Sequence, residues 1–159
     1  MSDEPRLPHL SESGDARMVD VSGKQISVRS ATAAGRLVVS SEVVGLLRGG
    51  GLPKGDALAV GRIAGIAAAK RTPDLIPLCH PIAIHGVDVT LDVTEDSVQI
   101  EATVRTADRT GVEMEALTCV AVAGLALIDM VKAVDPGAVL TDVRVLTKTG
   151  GTSGDWSRP

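Results

Sequence analysis

Apolar and polar residues alternate strictly in two neighbouring stretches of the chain. Every second residue is apolar in residues 87–93 and again in residues 98–104, and the acidic pair Glu95-Asp96 separates the two stretches. Alternation with a period of two places successive side chains on opposite faces of a strand. The pattern therefore predicts a β-hairpin with one buried face.

Apolar runs near the two ends of the sequence predict two further strands. Residues 26–40 are rich in Val, Leu and Ile but are interrupted by small residues such as Gly35, which indicates one long or broken strand. Residues 139–146 alternate again, so they predict the last strand.

Two shorter helices are predicted between the first strand and the hairpin. Ser40 and Ser41 can cap a helix that runs to Leu47 and ends at three consecutive glycines. Asp56 is a suitable N-cap for a second helix, whose apolar side extends to the neighbourhood of Arg71.

A third and longer helix is predicted over residues 112–134. Between residues 116 and 131 it is apolar almost all round, so it has no clear solvent face. Such a helix is buried on several sides, which we expect to be supplied by its own sheet and by another subunit.

The order of these elements predicts an α+β fold in which helices pack on one face of an antiparallel sheet. Residues 18–149 form a single domain that contains every predicted strand and helix. The polar residues 1–17 are interpreted as a flexible N-terminal tail, and residues 150–159 as a flexible, glycine-rich C-terminal segment.

Composition narrows the class of protein. The chain has 159 residues, of which 44% are hydrophobic but only 1% aromatic, so its core must be aliphatic. The many alanines leave modest burial per residue, and we expect oligomerisation to add buried surface. The net charge of −4 and the near absence of aromatic residues argue against nucleic-acid binding.

The sequence also predicts a cytoplasmic location. No apolar run of transmembrane length lacks a polar interruption, and the acidic N-terminus does not resemble a signal peptide. Cys79 and Cys119 form no short paired motif, which is typical of a reducing compartment.

Asp129 and Lys132 are the first candidates for chemistry. They lie three residues apart, so they share one face of the long helix. They can form an ordinary helix-end ion pair, but charged groups on an otherwise apolar helix are costly unless they are paired or line a polar pocket. Both interpretations remain open from the helix alone.

A second candidate is the segment Leu78-Cys79-His80-Pro81, in a loop with three prolines over residues 72–81. His80 is a suitable phosphate ligand. A core cysteine beside a hydrogen-bonded histidine is the plainer alternative. A zinc site that adds His85 and Cys119 is a further alternative, although the tight ligand pairs usual for zinc are absent.

A third group is cationic and glycine-rich. Lys54 precedes a helix N-terminus, where backbone N–H groups favour an anion, and Lys148 precedes the glycines of residues 150–154. Neither segment matches a P-loop or a dinucleotide-binding motif, so each is weak alone.

Together, several segments resemble the family of cyclic pyranopterin monophosphate synthases, also called molybdenum cofactor biosynthesis protein C. They are MVDVS (18–22), KGD (54–56), AGIAAAKRT (64–72), DLIPLCHP (74–81), TGVEMEALT (110–118), DMVKAV (129–134) and Lys148 with the glycine-rich stretch that follows it. The resemblance covers nearly the whole chain from Met18 to Trp156, and no matched motif departs from the family's pattern.

The resemblance implies a lyase of molybdenum cofactor (molybdopterin) biosynthesis. The family converts (8S)-3',8-cyclo-7,8-dihydroguanosine 5'-triphosphate, which a radical SAM cyclase makes from GTP, into cyclic pyranopterin monophosphate with release of pyrophosphate. It implies a ferredoxin-like fold, a homo-hexamer that is a trimer of dimers, and active sites at subunit interfaces. No cofactor is required, although Mg²⁺ can accompany the triphosphate, and no metal ligand is assigned.

The resemblance also implies roles for single residues. Lys54, Lys132 and Asp129 are expected to be catalytic, with Asp129 orienting Lys132. Substrate-binding residues are expected at the loop, at the start of the long helix and on the last strand: Leu78, Cys79, His80, Glu113, Met114, Glu115 and Lys148. Two other functions stay open, a metal-dependent hydrolase and a catalytically silent oligomer that binds a pterin or nucleotide.

Overall fold

A computed structural model of the protein describes residues 7–52 and 56–159. The strands are β1 (Ser27–Val38), β2 (Ile84–Val93), β3 (Ser97–Asp108), β4 (Val139–Thr149) and β5 (Trp156–Ser157). The helices are α1 (Ser41–Gly49), α2 (Ala57–Ala69), α3 (Thr72–Leu75) and α4 (Glu113–Val131). The strands form one sheet in the order β2-β3-β1-β4-β5, and all neighbours are antiparallel. The predicted α+β class is confirmed.

One face of the central strand β1 packs against α4. Ala31, Ala33 and Leu37 are buried on this face. A Cβ atom on Gly35 would lie 2.8 Å from Cγ1 of Val120, so a larger residue would push α4 away from the sheet. Small residues in β1 thus set the distance between the sheet and the helix that carries the candidate site residues.

The predicted caps of α1 and α2 are confirmed. The Ser40 side chain accepts a hydrogen bond from the backbone N–H of Val43 at 3.3 Å, and α1 ends at Gly50, whose φ is 70°. The Asp56 side chain accepts from the N–H of Ala59 at 3.0 Å. These bonds satisfy helix-terminal donors that would otherwise lack an intrahelical partner.

Helices α2 and α4 pack closely through glycines of α2. A Cβ on Gly65 would lie 2.9 Å from the carbonyl oxygen of Cys119. From the sequence we expect no apolar run of transmembrane length, but by length and composition alone α4 is long and apolar enough to cross a membrane. More than half of that helix is buried between α2 and the sheet, as in the core helix of a globular domain.

The structure differs from the sequence prediction at a few boundaries. Strand β2 begins at Ile84 and β4 continues to Thr149, while one helical turn, α3, lies in the predicted proline loop. The C-terminal segment adds the short strand β5, in which Trp156 pairs with Lys148. Alternation cannot predict a two-residue strand, because it is too short to show a period.

Candidate functional site

A cavity of about 270 Å³ lies beside the first turn of α4. Six of the predicted substrate-binding residues line it: Leu78, Cys79, His80, Glu113, Met114 and Glu115. The first three come from the loop before β2 and the last three from α4. The fold therefore brings together two segments that are more than thirty residues apart in the sequence.

Glu115 is the most deeply buried charged residue of this cavity, with 3% of its surface exposed. Burial raises the pKa of its carboxyl group to about 7, and the nearby charge of Glu113 acts in the same direction. A carboxyl group with this pKa can either donate or accept a proton near neutral pH.

The Cys79 thiol faces the same cavity. Burial raises its pKa, and the charge of Glu115 raises it further. A thiol with a raised pKa stays protonated, so it is a weak nucleophile and a poor metal ligand. Cys79 therefore lines the cavity with a neutral thiol.

The His80 side chain ties the loop to the N-terminal part of the chain. Its Nε2–H donates a hydrogen bond to the carbonyl oxygen of Val19. Val19 and Val21 also line the cavity, so this bond fixes one wall of it.

Lys148 on β4 contacts a residue that lines the cavity, Glu113. Its Nζ lies 3.4 Å from Oε1 of Glu113 and donates to Oγ of Ser153 at 3.3 Å. The register of β4 against β1 shifts between Thr147 and Val145, which makes Leu146 an inserted residue. Without this bulge, the alternation that puts Val145 on the helix side would put Lys148 on the opposite face of the sheet.

The turn after β4 is built on glycine. Gly150 has φ of 83°, and a Cβ there would lie 2.2 Å from the carbonyl oxygen of Val28. The Gly150 N–H donates to Oδ1 of Asp155 at 3.0 Å, which closes the turn. The turn returns the chain along β4, and it places Ser153 beside Lys148.

Seven residues of the cavity were not among the predicted site residues, and three of them, Pro8, His9 and Lys24, also lie outside the motifs that carry the resemblance. Pro8 and His9 lie in the segment interpreted as a flexible tail, and this segment folds back on itself through a bridge between Leu10 and Ala16. The run of Ser, Gly and Asp at residues 11–15 is a turn signal that could have predicted this fold-back.

Asp129 and Lys132 lie at the other end of α4. Their charged groups are 2.7 Å apart, and both side chains are more than half exposed, 59% and 58% respectively. Fourteen residues of helix separate Asp129 from Glu115, which corresponds to about 21 Å at the rise of an α-helix. One chain therefore does not bring the Asp129–Lys132 pair to the cavity beside Glu115.

The remaining predicted residues are Lys54 and the four ligands of the alternative zinc site. Lys54, expected to be catalytic, lies outside the described residues. The alternative zinc set of Cys79, His80, His85 and Cys119 is not assembled, because no three metal-ligating side chains cluster within residues 7–52 and 56–159. His85 accepts a hydrogen bond from the Ala107 N–H at the β2–β3 pair instead.

The cavity is chemically two-sided. The N-terminal segment, the residues just before β1 and the loop before β2 contribute one basic or cationic group each: His9, Lys24 and His80. Helix α4 contributes the carboxyl groups of Glu113 and Glu115. Such a cavity fits a ligand with an anionic part at one end and hydrogen-bond donors at the other.

Comparisons with known proteins agree with the motifs. The sequence model of the MoaC family matches residues 18–151. A Nocardioides protein named cyclic pyranopterin monophosphate synthase is 69% identical over the full length of both chains. A Streptomyces avermitilis protein of the same name is 68% identical over 98% of this chain and 91% of its own. A Mycobacterium tuberculosis protein named cyclic pyranopterin monophosphate synthase 2 is 60% identical over 96% of this chain and 91% of its own.

Proposed function

The chain belongs to the MoaC family, and on that premise we propose that it is a cyclic pyranopterin monophosphate synthase of molybdenum cofactor biosynthesis. It converts the cyclised dihydroguanosine triphosphate into cyclic pyranopterin monophosphate and releases pyrophosphate, which makes it a lyase. The observation that carries the proposal is the two-sided cavity, since it gathers the motif residues from three separate segments and β4.

The two sides of the cavity suit the two ends of this substrate. The carboxyl groups of Glu113 and Glu115 can accept hydrogen bonds from the N–H edge of a guanine-like ring. His80 can donate a hydrogen bond to a phosphate oxygen. Lys148 can neutralise phosphate charge if it exchanges its ion pair with Glu113 for a phosphate oxygen, and this makes pyrophosphate a better leaving group. In the closing step a substrate hydroxyl forms a new bond to the α-phosphorus, the bond to pyrophosphate breaks, and a base takes the hydroxyl proton.

We assign the proton transfers to Lys54, Lys132 and Asp129. A lysine can act as acid or base when its neighbours bring its pKa toward the working pH. Asp129 lies 2.7 Å from Lys132 and can orient it. The conversion is redox-neutral and requires no redox cofactor, and Mg²⁺ can accompany the triphosphate.

We further propose that each active site combines residues from two chains. The distance of about 21 Å along α4 is too long for one cavity of this size to join Glu115 with Asp129 in a single chain. Three exposed apolar residues support a contact with a second copy of the chain: Val60 and Ile63 on α2, and Leu125 on α4. The assembly expected from the family is a homo-hexamer, a trimer of dimers.

The finer fold assignment is also a proposal. The element order β-α-β-β-α-β and the sheet order β2-β3-β1-β4 support a ferredoxin-like fold, to which β5 is an addition. A cytoplasmic location follows from the proposed pathway, whose nucleotide precursor is cytoplasmic.

A coupled assay tests the proposed function. GTP, a radical SAM cyclase and this protein are incubated together, and the pterin product is oxidised to a fluorescent form and counted. Wild type is expected to form the pterin and Lys132→Ala to form almost none. Arg36→Ala, which breaks the ion pair with Asp96 at the β2–β3 turn, is the control and should match wild type. A wild type that binds the intermediate without turnover would instead favour the silent binding module.

A further inference from the structure

The N-terminal segment of residues 7–17 has a shape of its own. Backbone hydrogen bonds join the Arg17 N–H to the His9 carbonyl at 2.8 Å and the Ser11 N–H to the Asp15 carbonyl at 2.8 Å. Gly14 occupies the left-handed region with φ of 85°, and the Asp15 N–H donates to Oγ of Ser11 at 3.1 Å. We call residues 7–17 the N-terminal hairpin.

The N-terminal hairpin does not owe its position to burial in the core. Nearly all of its residues are exposed, including Leu7 at 67% and Leu10 at 42%. A segment that buries little apolar surface opens easily, as ligand-binding loops generally do. It nevertheless lies against the cavity, where Pro8 and His9 form part of the lining.

Charge decides which part of the substrate His9 faces. Besides His9, the titratable groups that line the cavity are Lys24, Cys79 and His80, which precede β2 in the chain, and Glu113 and Glu115 on α4. Lys148 lies beside Glu113, with 3.4 Å between Nζ and Oε1. An anionic group is favoured beside Lys24 and the two histidines, where no carboxyl group belongs to the same segments of the lining.

We propose that His9 is a substrate-binding residue that donates a hydrogen bond to a phosphate oxygen, and that the N-terminal hairpin is the wall that carries it. The proposal rests on the synthase function proposed above and adds a binding residue outside the segment that the family model matches. Because His9 is exposed, its substitution leaves the core intact.

Three variants test the role of His9. His9→Ala removes the donor, His9→Gln keeps an N–H donor at a similar reach, and Glu12→Gln alters an exposed residue at the tip of the hairpin as the control. We expect His9→Ala to raise KM by roughly ten-fold, as for the loss of one hydrogen bond to a charged group, with little change in kcat. His9→Gln should recover part of this loss, and Glu12→Gln should match wild type.

Inhibition by inorganic pyrophosphate identifies the part of the substrate that His9 contacts. The inhibition constant for pyrophosphate should rise in His9→Ala by a factor similar to the rise in KM. An unchanged KM overturns the proposal, and a raised KM with unchanged pyrophosphate inhibition overturns the assignment to phosphate. Calorimetric titration measures the affinity of wild type and His9→Ala for pyrophosphate without any turnover. An inactive wild type would therefore refute the synthase function, while the titration would still test the role of His9.

Discussion

The two ends of helix α4 carry charged residues in opposite environments. At its first turn Glu115 is 3% exposed, and it shares a cavity with residues from the N-terminal segment and from the loop before β2. At its last turns Asp129 and Lys132 pair with each other at 2.7 Å, and both are more than half exposed. The first end is assembled by the fold, whereas the Asp129–Lys132 ion pair at the second end joins two residues of the same helix end.

This difference indicates how the site is divided between chains. A buried carboxyl group is costly and persists where it has a task or a partner. An exposed ion pair such as Asp129–Lys132 contributes little to stability, at most about 1 kcal/mol. Substitutions at the end of α4 that carries Glu115 are therefore expected to change both stability and activity. Substitutions of Asp129 or Lys132 are expected to change activity alone.

The largest effect is expected at the exposed end. Asp129→Asn should lower kcat by about a hundred-fold to ten thousand-fold, the usual contribution of acid–base groups, because Lys132 loses its orienting charge. The unfolding midpoint should stay within a few degrees of wild type, because exposed ion pairs contribute at most about 1 kcal/mol. Steady-state kinetics measure the loss of kcat, and thermal denaturation measures the unfolding midpoint. A large loss of stability in Asp129→Asn would contradict the difference proposed between the two ends of α4.

Glu115→Gln should show the opposite behaviour through its pH dependence. The raised pKa means that the folded protein binds this proton more tightly than the unfolded chain, so wild-type stability falls as pH rises from about 4.5 to about 7. The glutamine variant lacks this dependence. Its advantage over wild type should grow to on the order of 3 kcal/mol by pH 8.

Denaturant unfolding at pH 5 and pH 8 measures this change, with Glu101→Gln on the exposed side of β3 as the control. Parallel pH profiles for wild type and Glu115→Gln would show that the carboxyl group titrates as it does in the unfolded chain.

A smaller effect is expected where the glycine turn supports Lys148. In Gly150→Ala the new Cβ would meet the Val28 carbonyl and the residue would keep an unfavourable φ, so the turn must shift at a cost of about 1–3 kcal/mol. Lys148 should then lose its place beside Glu113, and KM should rise. Gly23→Ala, where nothing lies within 4 Å of a new Cβ, is the matched control and should change neither quantity.

The smallest effect is expected for Ser153→Ala. This change removes one hydrogen bond to Lys148 Nζ and leaves the contact with Glu113 in place. KM should rise about three-fold to ten-fold, since one exposed hydrogen bond contributes about 1 kcal/mol, and kcat should hold. Ser153→Thr keeps the hydroxyl group and should restore most of the affinity, whereas equal kinetics in all three proteins would mean that Ser153 does not position the lysine.

Local patterns in the sequence predicted much of the fold. Alternation gave the β2–β3 hairpin, and the side chains of Ser40 and Asp56 cap their helices as expected. The loop before β2 and the first turn of α4 were also predicted to form the site, but from their resemblance to a family rather than from their spacing.

Other features depend on long-range contacts and could not be predicted from the sequence. The bulge at Leu146 turns Lys148 toward α4, yet it follows from how β4 pairs with β1 rather than from the residues of β4. The place of His9 depends on where the N-terminal hairpin lies against the loop before β2, which local composition does not encode.

Complementation between two inactive variants tests the central claim most directly. His80→Ala disables the cavity end and Lys132→Ala disables the exposed end, and each is assayed alone and after the two are unfolded and refolded together. If each site joins the two ends from different chains, random pairing leaves one intact site in every mixed dimer, so the mixture should recover roughly a quarter of wild-type activity. Tagged subunits verify that mixed oligomers have formed. If the co-refolded sample contains them and is still as inactive as each variant alone, the shared site is contradicted.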